Sequence, residues 1–220
     1  MSSLQNLAFL VGRATGQTLI MVFSSTFFSV LLGLPVGILL CTSDPAGIRP
    51  RPLLYQVLTR IVNVLRSFPF IILMILLFPL SRILAGTSIG TGATIIPLSI
   101  AAAPFAARII ETSLKEVDAG VVQAARAMGS TNMQIIVKVL LPEALPSLTA
   151  GITLTIINLI GYSAMAGAIG GGGLGDLAIR YGYQRFRPDV MAVSVAVILV
   201  LVEIIQAAGS KLSAAQMKKR

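Results

Sequence analysis

The residues from Thr18 to Cys41 read TLIMVFSSTFFSVLLGLPVGILLC and contain no charged side chain. At about 1.5 Å per residue in an α-helix, this run is long enough to cross the roughly 30 Å hydrocarbon core of a bilayer with some tilt. A secretory signal peptide has a shorter apolar region, of about 7 to 15 residues, and ends at a small-residue cleavage site that is absent here. The run therefore predicts a retained transmembrane helix.

The composition of the whole chain also indicates a membrane protein. Hydrophobic residues make up 55% of the 220 residues and charged residues 11%, whereas soluble globular domains carry about 25% charged residues. No polar linker, charge block or low-complexity segment divides the sequence. We therefore expect one transmembrane domain over residues 1–220.

The charged and reactive side chains exclude several classes of function. The net charge is +9, but the basic residues flank apolar runs, do not cluster on one face and belong to no nucleic-acid-binding motif. The chain has no histidine and one cysteine, Cys41, so it cannot form an internal disulfide, and a metal site would need carboxylates alone. We expect no nucleic-acid partner, no metal and no catalytic residue.

Four further apolar segments complete the predicted set of spans. With the first run they favour helices at about 18–41, 67–83, 91–107, 148–169 and 190–208. The third segment contains Pro97 and Pro104, which bend a helix but are tolerated in membranes where neighbours satisfy the freed carbonyls. The sequence thus predicts an all-α membrane protein with five transmembrane helices and with its termini on opposite sides.

The basic residues predict the orientation of these helices, because loops retained in the cytoplasm carry the excess of Lys and Arg. With the C-terminus inside, most of the 17 basic residues fall on the cytoplasmic side, including Lys218, Lys219 and Arg220. This favours an outside N-terminus and an inside C-terminus. The segment 180–187 is an exception, since it concentrates arginines on the outer side.

The polar interruption at about 108–147 is the most informative part of the sequence. Its first half has apolar residues every three or four positions, as in an amphipathic helix: Leu114, Val117, Val121, Ala125 and Met128. Gly129 ends this pattern, and Ser130 or Thr131 can cap a second short helix. We expect Pro142 and Pro146 to stop that helix. The interruption therefore predicts a helix-turn-helix hairpin on the cytoplasmic side.

The hairpin resembles the cytoplasmic signature of the permease subunits of ATP-binding-cassette importers. That signature runs Glu-Ala-Ala, three residues, Gly, nine residues, Ile, one residue, Leu-Pro, and its spacing is kept here by Gln123, Ala124, Ala125, Gly129, Val139, Leu141 and Pro142. Gln123 replaces the acidic first residue, so an ionic contact at that position is not expected. In the family this segment is the coupling helix, which sits in a groove of the ATPase subunit.

Within that family the chain is most similar to the methionine importer permeases. The blocks that carry the similarity are RSFPFIIL at 66–73, GTSIG at 86–90, APFAAR at 103–108, LLPEALP at 140–146 and GYSAM at 161–165. The resemblance implies a type I importer permease fold and a two-fold dimer of five-helix permeases. It further implies two ATPase subunits, an external substrate-binding lipoprotein that delivers methionine, and a place in the bacterial inner membrane.

The sequence indicates that this chain is not an enzyme. It has no Gly-Lys-Ser or Gly-Lys-Thr to close a phosphate-binding loop, and the four glycines at 170–173 lack the lysine that would follow. We therefore expect no cofactor in this chain, with ATP and Mg²⁺ bound by the partner ATPase. The glycines themselves are interpreted either as a flexible turn or as an external gate or docking surface.

Candidates for the translocation pathway lie in the fourth predicted helix: Asn158, Tyr162, Ser163 and Met165. Polar residues inside a membrane usually face the protein interior or a cavity. They can equally serve helix packing, so both interpretations stay open. Glu203 in the fifth predicted helix is interpreted first as a side chain that snorkels towards the interface.

Three alternatives remain open at this point. The chain can be the permease of an importer for another small solute, a secondary transporter driven by an ion gradient, or a channel. A secondary transporter typically shows internal repeats and ionisable residues near the midplane; we find no convincing repeat and only Glu203 as such a residue. A channel would leave the cytoplasmic hairpin without a role.

Overall fold

The computed structural model describes residues 3–218, with side chains from Gln5 onward, and these residues are almost entirely helical. Lys219 and Arg220, which the predicted orientation places in the cytoplasm, lie outside the described residues.

The described chain forms a series of α-helices and two π-helical segments. The α-helices are α1 Ser3–Ser43, α2 Pro52–Ser67, α3 Phe70–Leu76, α4 Phe78–Ala85, α5 Thr91–Lys115, α6 Ala119–Ala127, α7 Asn132–Ile135, α8 Leu141–Glu143, α9 Leu145–Gly167, α10 Gly173–Leu177 and α11 Pro188–Met217. The π-helical segments are Ile136–Leu140 and Ala178–Tyr183.

Four of these helices, α1, α5, α9 and α11, are long and apolar enough to cross a membrane. The pair α2 and α3 passes the same test of length and composition only when taken together, and it is bent by 98° at its break. The structure therefore has four candidate spans, or five if the bent pair counts as one. The prediction of an all-α chain with several apolar spans is confirmed.

The predicted second helix at about 67–83 is wrong as a continuous helix. Its residues are divided between the last residue of α2, the short helix α3 and the start of α4, with breaks at Phe68–Pro69 and at Leu77. Pro69 disfavours a helical conformation at Phe68 because of the clash between the proline ring and the preceding residue. The apolar run thus has the composition of a span, but its prolines do not allow a straight one.

The other four predicted helices are present with different bounds, and three of them, α1, α5 and α11, are much longer than predicted. α5 continues to Lys115 and not 107, α1 begins at Ser3 and not 18, α11 reaches Met217 and not 208, and α9 covers 145–167 in place of 148–169. Apolar composition marks the part of a helix that fits a bilayer. A helix can extend past that part into polar residues, where composition no longer marks its end. In α5, Arg108 and Lys115 both pair with Glu111.

The chain divides into two compact units. The first contains the N-terminal segment through Phe28, Phe68–Ala102 and Ile156–Gln206, and the second contains Ser29–Ser67, Ala103–Thr155 and the C-terminal segment from Ala207. The long helices α1, α5, α9 and α11 each contribute residues to both units.

The first unit has two apolar clusters. One is formed by Met21, Val22, Leu98, Ala102, Leu159 and Ile160, which α1, α5 and α9 contribute. The other is formed by Ala14, Leu174, Leu177 and Val190 from α1, α10 and α11. Because each cluster joins three helices, these helices pack as a bundle within this unit.

The core of the second unit lies where α1 and α5 meet the residues 125–148. Its buried members are Cys41, Ile110, Leu114, Ala125, Ile135, Leu140, Ala144 and Leu148. Gly37 permits the close approach of α1 to α5, since a Cβ there would lie 2.7 Å from the carbonyl oxygen of Ala107. This core fixes the segment that the sequence singles out.

Candidate functional site

The predicted hairpin is present, and it begins after α5. Asp118 caps α6, its carboxylate accepting a hydrogen bond of 2.7 Å from the backbone N–H of Gly120. Gly129 follows with φ of 79°, a left-handed conformation that favours glycine. Thr131, one of the two predicted caps, forms a capping box with Gln134 at the start of α7. The turn between the two helices is therefore built as predicted, and we call residues 118–142 the coupling hairpin.

The predicted stop at Pro142 and Pro146 is wrong. The chain passes from α7 through the π-helical segment Ile136–Leu140 into α8 and then α9, and Ala144 between them keeps helical dihedral angles. Proline is tolerated in the first turn of a helix, where its missing N–H needs no partner. Both prolines lie at such positions, so they divide the helical run into short pieces but do not end it.

The apolar residues of the coupling hairpin divide into a buried and an exposed set. Ala125 is 4% exposed and belongs to the core, as does Leu114 of the predicted stripe on the preceding helix α5, which is 1% exposed, whereas Met128 is 79% exposed. The exposed set comprises Val121, Met128, Met133 and Val137, with Ala124 beside them. We call this set the outer face. The predicted single stripe is therefore wrong in part, because α6 turns some of its members outward.

The signature residues follow the same division. Gln123, Ala124, Gly129 and Pro142 are exposed, Ala125 is buried, and Val139 and Leu141 are half-buried. The hairpin is thus held by Ala125 from within and presents Gln123 and Ala124 on its surface. The exposed apolar side chains of the outer face lie outside the apolar spans and are available for contact with a partner.

A buried carboxylate lies next to the hairpin. Glu111 in α5 is 2% exposed, and its two oxygens are 2.6 Å from Arg108 Nη1 and 2.8 Å from Lys115 Nζ. Lys115 also contacts Asp44 Oδ2 at 2.7 Å, and Arg108 Nη2 donates to Asn63 at 2.9 Å. A buried charge is stable only when it is paired and hydrogen-bonded. The contacts with Arg108 and Lys115 therefore stabilise the buried carboxylate of Glu111.

Sequence reasoning missed this network. The one available signal is the spacing of Arg108, Glu111 and Lys115 at three and four residues on one helix. Asp44 and Asn63 come from distant parts of the chain, so only the tertiary structure brings them in.

The four pathway candidates all lie in the first unit, on α9. Asn158 and Met165 are exposed, Met165 to 46%. Tyr162 is half-buried and stacks on Phe70 with a ring-centroid distance of 4.3 Å. Ser163 is buried, and its hydroxyl donates to the carbonyl of Ile160 at 2.7 Å. The structure therefore brings Asn158, Tyr162 and Met165 to one side of α9 by their spacing, whereas Ser163 points into the packing.

The glycine-rich segment after α9 is closely packed. A Cβ at Gly171 would lie 2.8 Å from the carbonyl oxygen of Ala166, and one at Gly175 would lie 2.3 Å from that of Ala164. Gln17 of α1 accepts a hydrogen bond from the N–H of Gly173 at 3.0 Å. These contacts argue against the interpretation of a flexible turn, because the glycines are where the backbones touch.

An ion pair follows this segment, between Asp176 and Arg180. It raises the pKa of Arg180, chiefly through the hydrogen bond with the carboxylate. Among residues 3–218, no group of three or more Cys, Asp or Glu side chains is placed to hold a metal ion. Glu203 is exposed on α11.

A comparison with known families decides where the chain belongs. The profile of the family described as "binding-protein-dependent transport system inner membrane component" matches residues 29–209. The chain belongs to this family. The coupling hairpin and α9 both lie inside the matched region, so the permease carries its candidate residues within the part that defines the family.

Curated relatives cover most of the permease. It is 49% identical over 199 residues to the probable D-methionine transport system permease protein MetI of Vibrio cholerae, covering 90% of this chain and 88% of that protein. It is 51% identical over 158 residues to the D-methionine transport system permease protein MetI of Escherichia coli, covering 72% and 73%.

Solved structures share the fold of the permease. A chain of the MetNI methionine ABC transporter in inward-facing conformations matches with a TM-score of 0.94 and 46% identity, over 98% of this chain and 99% of that one. An amino acid ABC transporter solved with histidines matches with a TM-score of 0.78 and 21% identity, over 97% of both chains; at this identity the likeness shows the fold alone. The predicted importer permease fold is therefore confirmed.

Proposed function

We propose that this chain is the membrane-spanning permease subunit of an ATP-driven methionine importer. The observation that carries the proposal is the outer face of the coupling hairpin, an exposed apolar surface in a chain of the binding-protein-dependent transport family. Apolar side chains such as Met128 and Met133 gain free energy when a partner removes them from water. The names of the relatives support methionine as the solute.

The similarity to the methionine ABC transporter supports three kinds of partner. A second copy of the permease completes the pathway, two ATPase subunits bind ATP and Mg²⁺ and hydrolyse the nucleotide, and an external substrate-binding lipoprotein delivers the solute. The chain itself holds no cofactor and is not an enzyme. Its residues Gln123, Ala124, Ala125, Gly129, Val139, Leu141 and Pro142 form or support the surface that seats in the ATPase groove.

The proposed topology has five spans, an outside N-terminus and an inside C-terminus, in the inner membrane of a bacterium. The bent pair of α2 and α3 supplies the fifth span, and residues 1–220 act as one permease domain. The charge distribution supports this orientation, because it leaves most of the 17 basic residues on the cytoplasmic side. It also places the coupling hairpin where an ATPase operates.

For the pathway, we propose that the exposed side of α9 faces the solute between the two copies. Asn158 and Tyr162 offer hydrogen-bonding groups without fixed charge, and Met165 is the candidate gate. Ser163 supports this side from behind through its bond to Ile160. We expect Met165→Ala to allow solute leak in the absence of ATP. Measured leak equal to that of the unaltered protein would count against the gate.

The experiment that tests the function is reconstitution of the permease with its ATPase and its binding protein in vesicles. Uptake of labelled methionine that requires all three components and ATP is the expected result. Uptake that persists without ATP and ATPase would support an ion-coupled transporter in place of an importer. Uptake of another solute, but not of methionine, would support the permease function and change only the proposed substrate.

A further inference from the structure

Residues 44–51 connect α1 to α2, and we call them the α1–α2 loop. It begins with a tight turn at Asp44. The Asp44 carboxylate accepts a hydrogen bond from the N–H of Ala46 at 2.8 Å, and its carbonyl accepts one from the N–H of Gly47 at the same distance. Aspartate commonly stabilises a turn through this kind of bond to its own backbone.

The second half of the α1–α2 loop folds back onto the end of α1. The N–H of Arg49 donates to the carbonyl of Thr42 at 3.0 Å, and that of Arg51 donates to the carbonyl of Ser43 at 3.0 Å. These bonds satisfy two of the carbonyls that a helix end leaves free. The loop is therefore fixed to α1, and a force applied to the loop reaches that helix.

α6 of the coupling hairpin holds the loop at one point. The guanidinium of Arg126 donates to the backbone carbonyl of Ile48, and the Ile48 side chain packs against the core that contains Ala125. Arg126 lies between the signature residues Ala125 and Gly129 in the sequence. The loop is thus attached to the same helix that presents the outer face.

α5 holds the loop at a second point. Lys115 Nζ lies 2.7 Å from Asp44 Oδ2 and 2.8 Å from Glu111 Oε1. The hydrogen bond from Lys115 lowers the pKa of Asp44 below its usual value, so the carboxylate is charged at neutral pH. The buried Glu111 fixes Lys115 in turn, because leaving that carboxylate unpaired would be strongly unfavourable.

The space between α6 and the loop is not filled. A cavity of about 410 Å³ lies there, lined by Asp44, Ile48, Lys115, Gln123 and Arg126 among others. Close packing transmits a displacement directly, and here the packing between α6 and the loop is incomplete. The polar contacts at Ile48 and Asp44, together with the packing of the Ile48 side chain on the core, therefore hold the loop beside this cavity.

We propose that the α1–α2 loop is a second coupling element, through which a displacement of α6 reaches α1 and α2. Arg126 and Asp44 act as positioning residues: Arg126 ties the loop to α6, and Asp44 ties it to α5. The proposal rests on the proposed function, since the displacement comes from the ATPase. It adds a route beside the direct one from the coupling hairpin into α9.

The test measures the ratio of methionine transported to ATP hydrolysed in the reconstituted complex. Arg126→Gln removes the guanidinium that reaches Ile48, and Asp44→Asn weakens the bond from Lys115 while keeping a side-chain oxygen for Ala46. We expect each variant to lower the ratio about fivefold, as expected of residues on a coupling route. ATPase co-purification and membrane insertion stay unchanged.

Two controls accompany these variants. Arg126→Lys keeps a charged donor on a long side chain, and we expect it to restore part of the ratio. Arg187→Gln removes an arginine from an exposed ion pair with Asp189 in the first unit, and we expect no change in the ratio.

An unchanged ratio in both Arg126→Gln and Asp44→Asn, with assembly intact, would overturn the proposal. A ratio that falls only in proportion to lost ATPase binding would overturn it as well, because the loop would then serve assembly and not coupling. If the unaltered complex shows no ATP-dependent uptake, the proposed function fails instead. The two failures are therefore distinguishable.

Discussion

Two connections between long helices differ in the exposure of their apolar side chains. The coupling hairpin between α5 and α9 turns Met128 and Met133 outward, 79% and 68% exposed. The glycine-rich segment between α9 and α11 turns inward, and its Leu174 is fully buried. The coupling hairpin thus leaves apolar side chains exposed, whereas the glycine-rich segment packs against its own chain.

The same residue type has opposite roles in the two connections. A Cβ at Gly129 would meet no heavy atom within 4 Å, so this glycine is needed for its left-handed φ of 79°. Gly175 is needed because the backbone of Ala164 leaves no room for a side chain. Gly129 is therefore required by its backbone conformation, and Gly175 by its short distance to a neighbouring backbone.

The largest expected effect is on folding, from Gly175→Ala. The added methyl group would lie 2.3 Å from the Ala164 carbonyl oxygen; overpacking typically costs about 1–3 kcal/mol and occasionally more, and a clash with backbone lies at the upper end of that range. Thermal unfolding of the purified chain in detergent should show a strong loss of stability. Gly161→Ala is the matched control on α9, where a Cβ meets nothing within 4 Å; an equal loss there would break the comparison.

The next effect is on assembly, from Met128→Glu. A charge on the outer face should lower ATPase affinity about tenfold, since a hot-spot residue contributes more than about 1.4 kcal/mol. Folding should be unaffected, because the side chain is exposed. Binding of the ATPase to the solubilised permease measures this change. Phe186→Glu, at an 87% exposed residue of the other connection, should leave ATPase affinity unaltered.

Gly129→Val tests the turn itself. A β-branched residue at positive φ is strained by about 1–3 kcal/mol, and the strain should reorient α6 relative to α7. We expect the complex to hydrolyse ATP with less methionine transported per ATP, while membrane insertion stays normal. Normal coupled uptake in this variant would show that the orientation of the turn is not essential.

The smallest expected effect comes from Gln123→Glu, which restores the acidic residue of the family signature. The side chain is exposed, and a carboxylate three residues before Arg126 offers a surface pair of about 0.2–0.5 kcal/mol. Uptake and ATPase affinity should change by about twofold at most. A large gain in ATPase affinity would indicate that an acidic side chain at this position makes a direct ionic contact with the ATPase, which Gln123 cannot make.

Sequence patterns predicted local features well where the cause is local. The apolar run from Thr18 onward gave a helix because its composition alone suits a bilayer, and Thr131 capped α7 because its partner Gln134 is three residues away. The bend at Pro69 was equally local, but the apolar composition of 67–83 obscured it. The predicted stop at Pro142 failed because proline at the start of a new helical turn breaks no needed bond.

The sequence by itself determined that this protein is an all-helical membrane chain with a capped hairpin between two long helices, since composition, caps and spacing act over a few residues. Only the tertiary structure decided which apolar residues of that hairpin are buried and which stay exposed. It also placed Asp44 beside Lys115 and Arg126 beside Ile48. These contacts join residues about 70 to 80 positions apart, and such pairs depend on how the helices pack, which no short stretch of sequence encodes.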